Sequence, residues 1–209
     1  MSINLIWDVD GTLIDSYDSI IDSINKTIEQ YGISYERDYI RNVIQSTSTG
    51  TFLEEIADIN NLDPKELWDY YNSAEIDYSK IKLMPNVKET LEQLDRMGVK
   101  NFIYTHRGES LYKILELLDI NKYFIEVVGK NNGFKRKPNP EAINYLVDKY
   151  QLDKESTYYV GDRLIDQESA RNAGIGAIYY QSFIGITLDK KDYDYRIDDL
   201  LGVLKIQQR

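Results

Sequence analysis

The chain has no cysteine and a single histidine, His106. Without cysteine it can build no disulfide framework, carry no thiol nucleophile and hold no cysteine-ligated zinc. That composition fits a reducing, cytoplasmic setting. Basic residues are in deficit: 25 Lys and Arg against 35 Asp and Glu give a net charge of −10 at pH 7. Broad nucleic-acid binding and attachment to anionic membranes both need a basic face, and neither is expected. A small phosphorylated ligand remains compatible, because a metal ion and a few basic groups invert the field locally. No apolar run approaches the length of a membrane span, and no basic leader precedes an apolar stretch at the N-terminus. Internal repeats and low-complexity linkers are likewise absent. What remains is a 209-residue chain, 42% hydrophobic, long enough for one substantial core plus an insertion.

Five short apolar segments read as strands, at about 3–8, 100–104, 124–128, 157–160 and 175–180. Helical stripes lie between them: Val87, Leu91, Leu94 and Met97, closed by Gly98; Leu111, Ile114, Leu115 and Leu118; Ala142, Ile143, Leu146 and Val147. Asn139 reads as the N-cap of the third stripe, with Pro140 at its first helical position. A fourth helix follows Asp162 and stops at Gly174. Strands alternating with helices predict an α/β fold with a Rossmann-like, mostly parallel sheet. Ligands bind such sheets beyond the strand C-termini, and Asp8, Asp10, Thr105 and Asp162 all fall at or just after predicted strand ends. The interval 15–82 is too long for a simple crossover and reads as mainly helical, with the Ile20, Ile21, Ile24 and Ile28 stripe and an Asp63-Pro64 helix start. The predicted organisation is an α/β core of residues 1–14 and 83–209, with an inserted α-helical domain over 15–82.

Asp8 and Asp10 lie one residue apart at the end of the first strand, so their side chains project to the same side. Two adjacent carboxylates repel unless a cation or a shared proton relieves them, and a hard ion with oxygen ligands, such as Mg²⁺, is suited to that. Asp162 and Asp166 lie one helical turn apart and can hold a cation jointly, although Asp162 can equally be an ordinary N-cap. Lys137 sits in a basic stretch with Lys130, Lys135 and Arg136. Within the insertion, the polar stretch Gln45–Gly50 is either a substrate-facing loop or an exposed helix connection.

Four ordered motifs, Asp8-Val9-Asp10-Gly11-Thr12-Leu13, Phe102-Ile103-Tyr104-Thr105, Lys137-Pro138-Asn139-Pro140 and Val160-Gly161-Asp162-Arg163-Leu164-Ile165-Asp166, together resemble the haloacid dehalogenase superfamily of phosphatases. The resemblance implies that Asp8 is the nucleophile and a Mg²⁺ ligand. Asp10 is the general acid and then the base, with its backbone carbonyl on the metal. Thr105 hydrogen-bonds a phosphoryl oxygen, and Lys137, marked out from Arg136 by the Pro-Asn-Pro that follows it, clamps the phosphate. Asp162 is a direct metal ligand, and Asp166 either a ligand or a support for one. His106 and Arg107, next to Thr105, are candidates for substrate contact. The insertion corresponds to the family's helical cap.

The implied activity is Mg²⁺-dependent hydrolysis of a small phosphorylated metabolite through an aspartyl-phosphate, in the branch that holds phosphoglycolate phosphatases and β-phosphoglucomutases. Two alternatives stand beside it. A phosphomutase of that subgroup carries a cap histidine about ten residues after the second aspartate, where this chain has Ile20. A non-catalytic ligand-binding protein on the same fold is the other. Sequence leaves the oligomeric state open.

Overall fold

The structure is a computed structural model that describes residues 3–74, 76–183 and 187–207. The chain divides into two compact units, one of residues 1–15 and 82–209, the other Ser16–Ile81.

The larger unit is built on six parallel strands: β1 (Asn4–Trp7), β4 (Lys100–Tyr104), β5 (Glu126–Val128), β6 (Thr157–Gly161), β7 (Gly176–Tyr180) and β8 (Tyr195–Ile197). Their spatial order is β5-β4-β1-β6-β7-β8. In this unit the chain winds from β1 outward through β4 and β5, then restarts on the other side of β1 with β6. That is the order of a doubly wound dinucleotide-binding sheet, and its switch point, where ligands bind, lies beside β1. Helices α5 (Val87–Arg96), α6 (Ser110–Leu117), α7 (Glu141–Tyr150), α8 (Leu164–Ala173) and α9 (Val203–Gln207) alternate with the strands. The short strands β2 (Ile14–Asp15) and β3 (Lys82–Leu83) form an antiparallel pair where the chain leaves the sheet and where it returns.

The central strands are apolar on both faces, as strands covered by helices on both sides must be. Leu5, Ile6 and Trp7 are fully buried, as are Phe102 and Ile103. Ile6 stands level with Phe102 on one neighbour and Tyr159 on the other. These residues share a face with Tyr104 and pack against Ala142, Ile143 and Leu146 of α7 and Ala170 of α8. Side chains alternate along a strand, so Asp8 continues the Ile6 face at its C-terminal end.

The smaller unit holds α1 (Tyr17–Glu29), α2 (Arg37–Ser46), α3 (Thr49–Asn60) and α4 (Pro64–Ser73). Ile21, Ile24 and Ile28 are its buried stripe on α1. Helix α4 starts as its sequence suggests, with Asp63 accepting from the Lys65 amide at 2.8 Å and Pro64 at the first helical position. The polar stretch Gln45–Gly50 is mostly helix: α2 runs to Ser46, Ser48 caps α3, and Gly50 lies buried within 3.1 Å of Trp68 when given a Cβ.

Three local expectations shift. Helix α7 begins at Glu141, so Pro140 takes the cap position, and Asn139 bonds the Glu141 amide from two residues before it. Strand β5 starts at Glu126 because Asn121–Tyr123 form a 3-10 turn. Strand β8 extends the sheet beyond the five segments visible in sequence.

Candidate active site

Strand β1 ends at Trp7 and the chain turns back sharply, with the amides of Leu13 and Ile14 both donating to the Val9 carbonyl. The turn depends on Gly11. Its φ is +82°, a region that side chains with a Cβ disfavour, and an added Cβ would stand 2.3 Å from Asp162 Oδ2. Bare backbone is what lets the first-motif turn approach the acidic residue after β6. Thr12, inside the turn, donates from its buried hydroxyl to Asp162 Oδ1 at 3.2 Å. Gly161 has the same role on β6: a Cβ there would meet the Asp166 side chain at 2.4 Å.

Asp8, Asp162 and Asp166 are all buried, and each offers a carboxylate oxygen within 4.8 Å of the others. Lys137 comes to them from the loop before α7. Its side chain is fully buried, and its Nζ donates to Asp8 Oδ1 at 2.6 Å and to Asp166 Oδ1 at 2.8 Å. Burial works against the Lys137 charge, but the Asp166 and Asp8 carboxylates outweigh it and hold the ammonium above its ordinary pKa. Burial pushes the Asp8 carboxyl up to about 6, against the pull of Lys137 and with Asp166 adding to the rise. Burial also pushes Asp162 up to about 8, with Arg163 opposing and Asp166 and Asp8 adding.

Asp8 and Asp166 thus share one buried ammonium, and Asp162 lies beside them with the Thr12 hydroxyl and the Arg163 charge. Asp8 Oδ2 has no hydrogen-bond partner, and the Arg163 guanidinium stays 4.0 Å away from it. An orphaned carboxylate oxygen in an acid-rich, oxygen-only cluster fits a hard divalent cation. Asp8, Asp162 and Asp166 are the residues that could hold it. The Asp10 carboxylate lies outside this cluster, held by the Arg107 guanidinium: Nε lies 3.1 Å from each oxygen, and Nη2 bonds Oδ1.

Asp162 is placed by the turn rather than by a helix. Helix α8 starts at Leu164, and its first turn is tied by Asp166, whose Oδ2 accepts from the Arg163 amide at 3.1 Å. Of the two acids, Asp166 does the capping, while Asp162 faces the first-motif turn.

Thr105 follows β4, buried, with its amide donating to Val128 O at 3.0 Å and its hydroxyl oxygen accepting from the Arg107 amide at 3.2 Å. Its hydroxyl proton can therefore be given elsewhere. His106 turns its Nε2 onto the Lys137 amide at 2.8 Å. Burial, together with the Lys137 and Arg136 charges, pushes its imidazole down to about 2, so it is a neutral acceptor that braces the lysine loop. Sequence reasoning had no signal for that bond, nor for the Arg107–Asp10 pair, because each joins residues far apart in the chain. Thr12 carried one, since it lies inside the first motif.

The family model described as haloacid dehalogenase-like hydrolase matches residues 5–180. A phosphoglycolate phosphatase of Vibrio parahaemolyticus is 29% identical over 97% of this chain and 94% of its own length. A Caldanaerobacter subterraneus protein assigned as the pyrophosphatase PpaX is 30% identical over 97% of this chain and 93% of its own. A crystal structure of a Clostridium difficile protein assigned as a phosphatase superposes with a TM-score of 0.81 at 26% identity, covering 99% of this chain and 98% of that one. With the model spanning all four motifs and the relatives matching nearly end to end, the chain belongs to the haloacid dehalogenase-like hydrolases and is a phosphatase-type enzyme among its phosphoglycolate-phosphatase-like members.

Proposed function

We propose that the protein is a Mg²⁺-dependent phosphatase that hydrolyses a small phosphorylated metabolite through an aspartyl-phosphate on Asp8. The observation that carries this reading is the state of Asp8. One of its oxygens accepts from Lys137 and the other is buried without a hydrogen-bond partner, the Arg163 guanidinium lying 4.0 Å from it, which suits an oxygen left open for attack on phosphorus. Carboxylates form such covalent intermediates.

Asp8, Asp162 and Asp166 would hold the ion. When bound, Mg²⁺ supplies positive charge that keeps Asp8 ionised and neutralises phosphoryl oxygens. Asp8 Oδ2 attacks phosphorus and the ester P–O bond breaks. Asp10 gives its proton to the leaving oxygen, then takes one from the water that cleaves the acyl phosphate. A carboxylate paired with a guanidinium carries no proton to give, so Arg107 must release Asp10 when substrate enters, and Asp10 must take up a proton from water before it acts as the acid. The anionic substrate offers Arg107 a competing partner, which gives it a role in substrate binding. Thr105 donates its hydroxyl proton to a phosphoryl oxygen, and Lys137 compensates the charge on that group. His106 serves by bracing Lys137.

The helical unit is the proposed cap, joined to the sheet through the paired strands β2 and β3. The relatives point to two substrates worth testing first, phosphoglycolate and pyrophosphate, both small and multiply charged. The absence of cysteine fits work in the cytoplasm, and among the described residues no helix is long and apolar enough to cross a membrane.

The test is Asp8→Asn with p-nitrophenyl phosphate, phosphoglycolate and pyrophosphate. Wild type should turn over in Mg²⁺ and stop after chelation, and the variant should be inactive. Borohydride added during turnover should reduce the acyl phosphate and leave homoserine at position 8, visible by mass. A variant that keeps more than a few per cent of the wild-type rate removes Asp8 from the nucleophile role.

A further inference from the structure

Lys137 is held by more than carboxylates. Its Nζ lies 5.2 Å from the ring centroid of Tyr104 and 5.0 Å from that of Tyr159. Both fall within the reach of a cation–π contact, which gains strength where water is excluded. Here it is excluded: the lysine side chain and Tyr159 are fully buried, and Tyr104 is nearly so. Both phenol groups are tied elsewhere. Tyr159 donates to the Tyr104 carbonyl at 2.6 Å, and Tyr104 donates to the Lys135 carbonyl at 3.2 Å. Each ring is therefore fixed at its far end. The two rings stand at 79° to each other, edge to face.

An ammonium has three N–H donors, and two are spent on Asp8 Oδ1 and Asp166 Oδ1. We propose that Tyr104 and Tyr159 are positioning residues for phosphoryl transfer: their rings cradle the Lys137 ammonium on Oδ1 of Asp8 and Oδ1 of Asp166, so that Oδ2 of Asp8 stays open. The proposal rests on the phosphatase reading above. Core packing alone would accept any apolar side chain of similar volume at these two strand positions. A cradle needs the electron-rich ring.

That difference sets the experiment. Phenylalanine and its mono-, di- and trifluoro derivatives are placed at position 104, and separately at 159. Fluorination drains the ring quadrupole while nearly preserving shape. Two quantities are read across each series: kcat and KM with Mg²⁺, and the exchange rate of the Lys137 ammonium protons with solvent in ¹⁵N-lysine-labelled protein. The cradle predicts that kcat falls stepwise with fluorination, by about tenfold from phenylalanine to the trifluoro ring. KM should move little, and ammonium exchange should quicken in the same order. Tyr104→Leu should lose at least as much, with Tyr104→Phe recovering most of it. A series in which neither rate nor exchange follows fluorination overturns the cradle, even if the leucine variant is unstable. Exchange that follows fluorination in a protein with no phosphatase activity on any ester overturns the functional reading instead, and with it the link between cradle and catalysis.

Discussion

The buried carboxyl of Asp162 makes metal-free stability fall as pH rises, and the slope can be worked out. Burial raises this group from 3.8 to about 8 in the folded protein. In the unfolded chain it titrates near the ordinary aspartate value of about 3.9. Below that value both states carry the proton and nothing is lost. Above it the folded state still holds a proton that the unfolded state has shed, so stability falls with pH until about 8, where the loss is complete. Two other groups titrate on the way. Asp8, raised to about 6, adds a fall of the same sign that ends near pH 6. His106, lowered to about 2, acts in the opposite sense: the unfolded chain gains a proton below its ordinary value of about 6.5, so this contribution rises with pH and ends there. Between about pH 6.5 and 8 only Asp162 of these three remains, and one proton is worth about 1.4 kcal/mol per pH unit, or about 2 kcal/mol across the window. Metal binding requires ionised ligands, so saturating Mg²⁺ should flatten the slope, and the stability gained from Mg²⁺ should grow with pH by the same amount. The assay is urea unfolding at half-unit pH steps, with EDTA or Mg²⁺. The fluorescence of Trp7, buried on β1, reports on the core in a Trp68→Phe background that leaves it as the sole tryptophan. Asp162→Asn should level the metal-free curve. A flat wild-type curve in EDTA, or a slope that survives Asp162→Asn, refutes the assignment.

The remaining expectations concern single residues. Asp10→Asn should cut kcat by about 10²–10⁴-fold while Mg²⁺ affinity stays, since its carboxylate lies on Arg107 outside the acidic cluster; calorimetric titration with Mg²⁺ would show a loss if the side chain were a ligand. Gly11→Ala should weaken Mg²⁺ binding and activity together, because its Cβ would overlap Asp162 Oδ2 at 2.3 Å; an alanine variant with wild-type Mg²⁺ affinity would show that the turn yields. His106→Leu strips the Lys137 amide of its acceptor and should cost about 1–3 kcal/mol, read as a lower urea midpoint; an unchanged midpoint would mean that another acceptor takes over.

The elements legible in sequence are those whose pattern is forced by burial. Strands β1, β4, β6 and β7 must be apolar on both faces, so their runs stand out. Helix α8 stops where Gly174 takes a φ of +71°, and α5 ends before Gly98 at +71°. Strand β8 gave no such run: it is three residues, Tyr195-Arg196-Ile197, at the sheet edge, with Arg196 exposed. Short edge strands that carry a charged residue leave little pattern to read. The cap of α7 moved by one residue because Asn139 and Pro140 can each occupy a cap position, and local propensity does not choose between them.

For the site, sequence pointed to the residue types and to the strand ends that bring them together, because a doubly wound sheet gathers its strand C-termini along one edge. It did not show which charge meets which. Asp8 and Asp10, alike in the chain, part company in space: Asp8 pairs with Lys137 from 129 residues away, and Asp10 with Arg107 from 97 away. That division has a chemical consequence. The acidic cluster sets Lys137 on Asp8 and Asp166 with Arg163 beside it, and burial keeps Asp162 protonated below about pH 8, while Arg107 is spent outside it. A divalent cation entering this cluster must displace the Asp162 proton, so the site becomes fully ionised as it fills. The same cluster attracts a divalent cation, whose charge offsets both the carboxylates and the incoming phosphoryl group. On the proposed function, the division of the two aspartates leaves Arg107 on Asp10 until an anionic substrate draws it off.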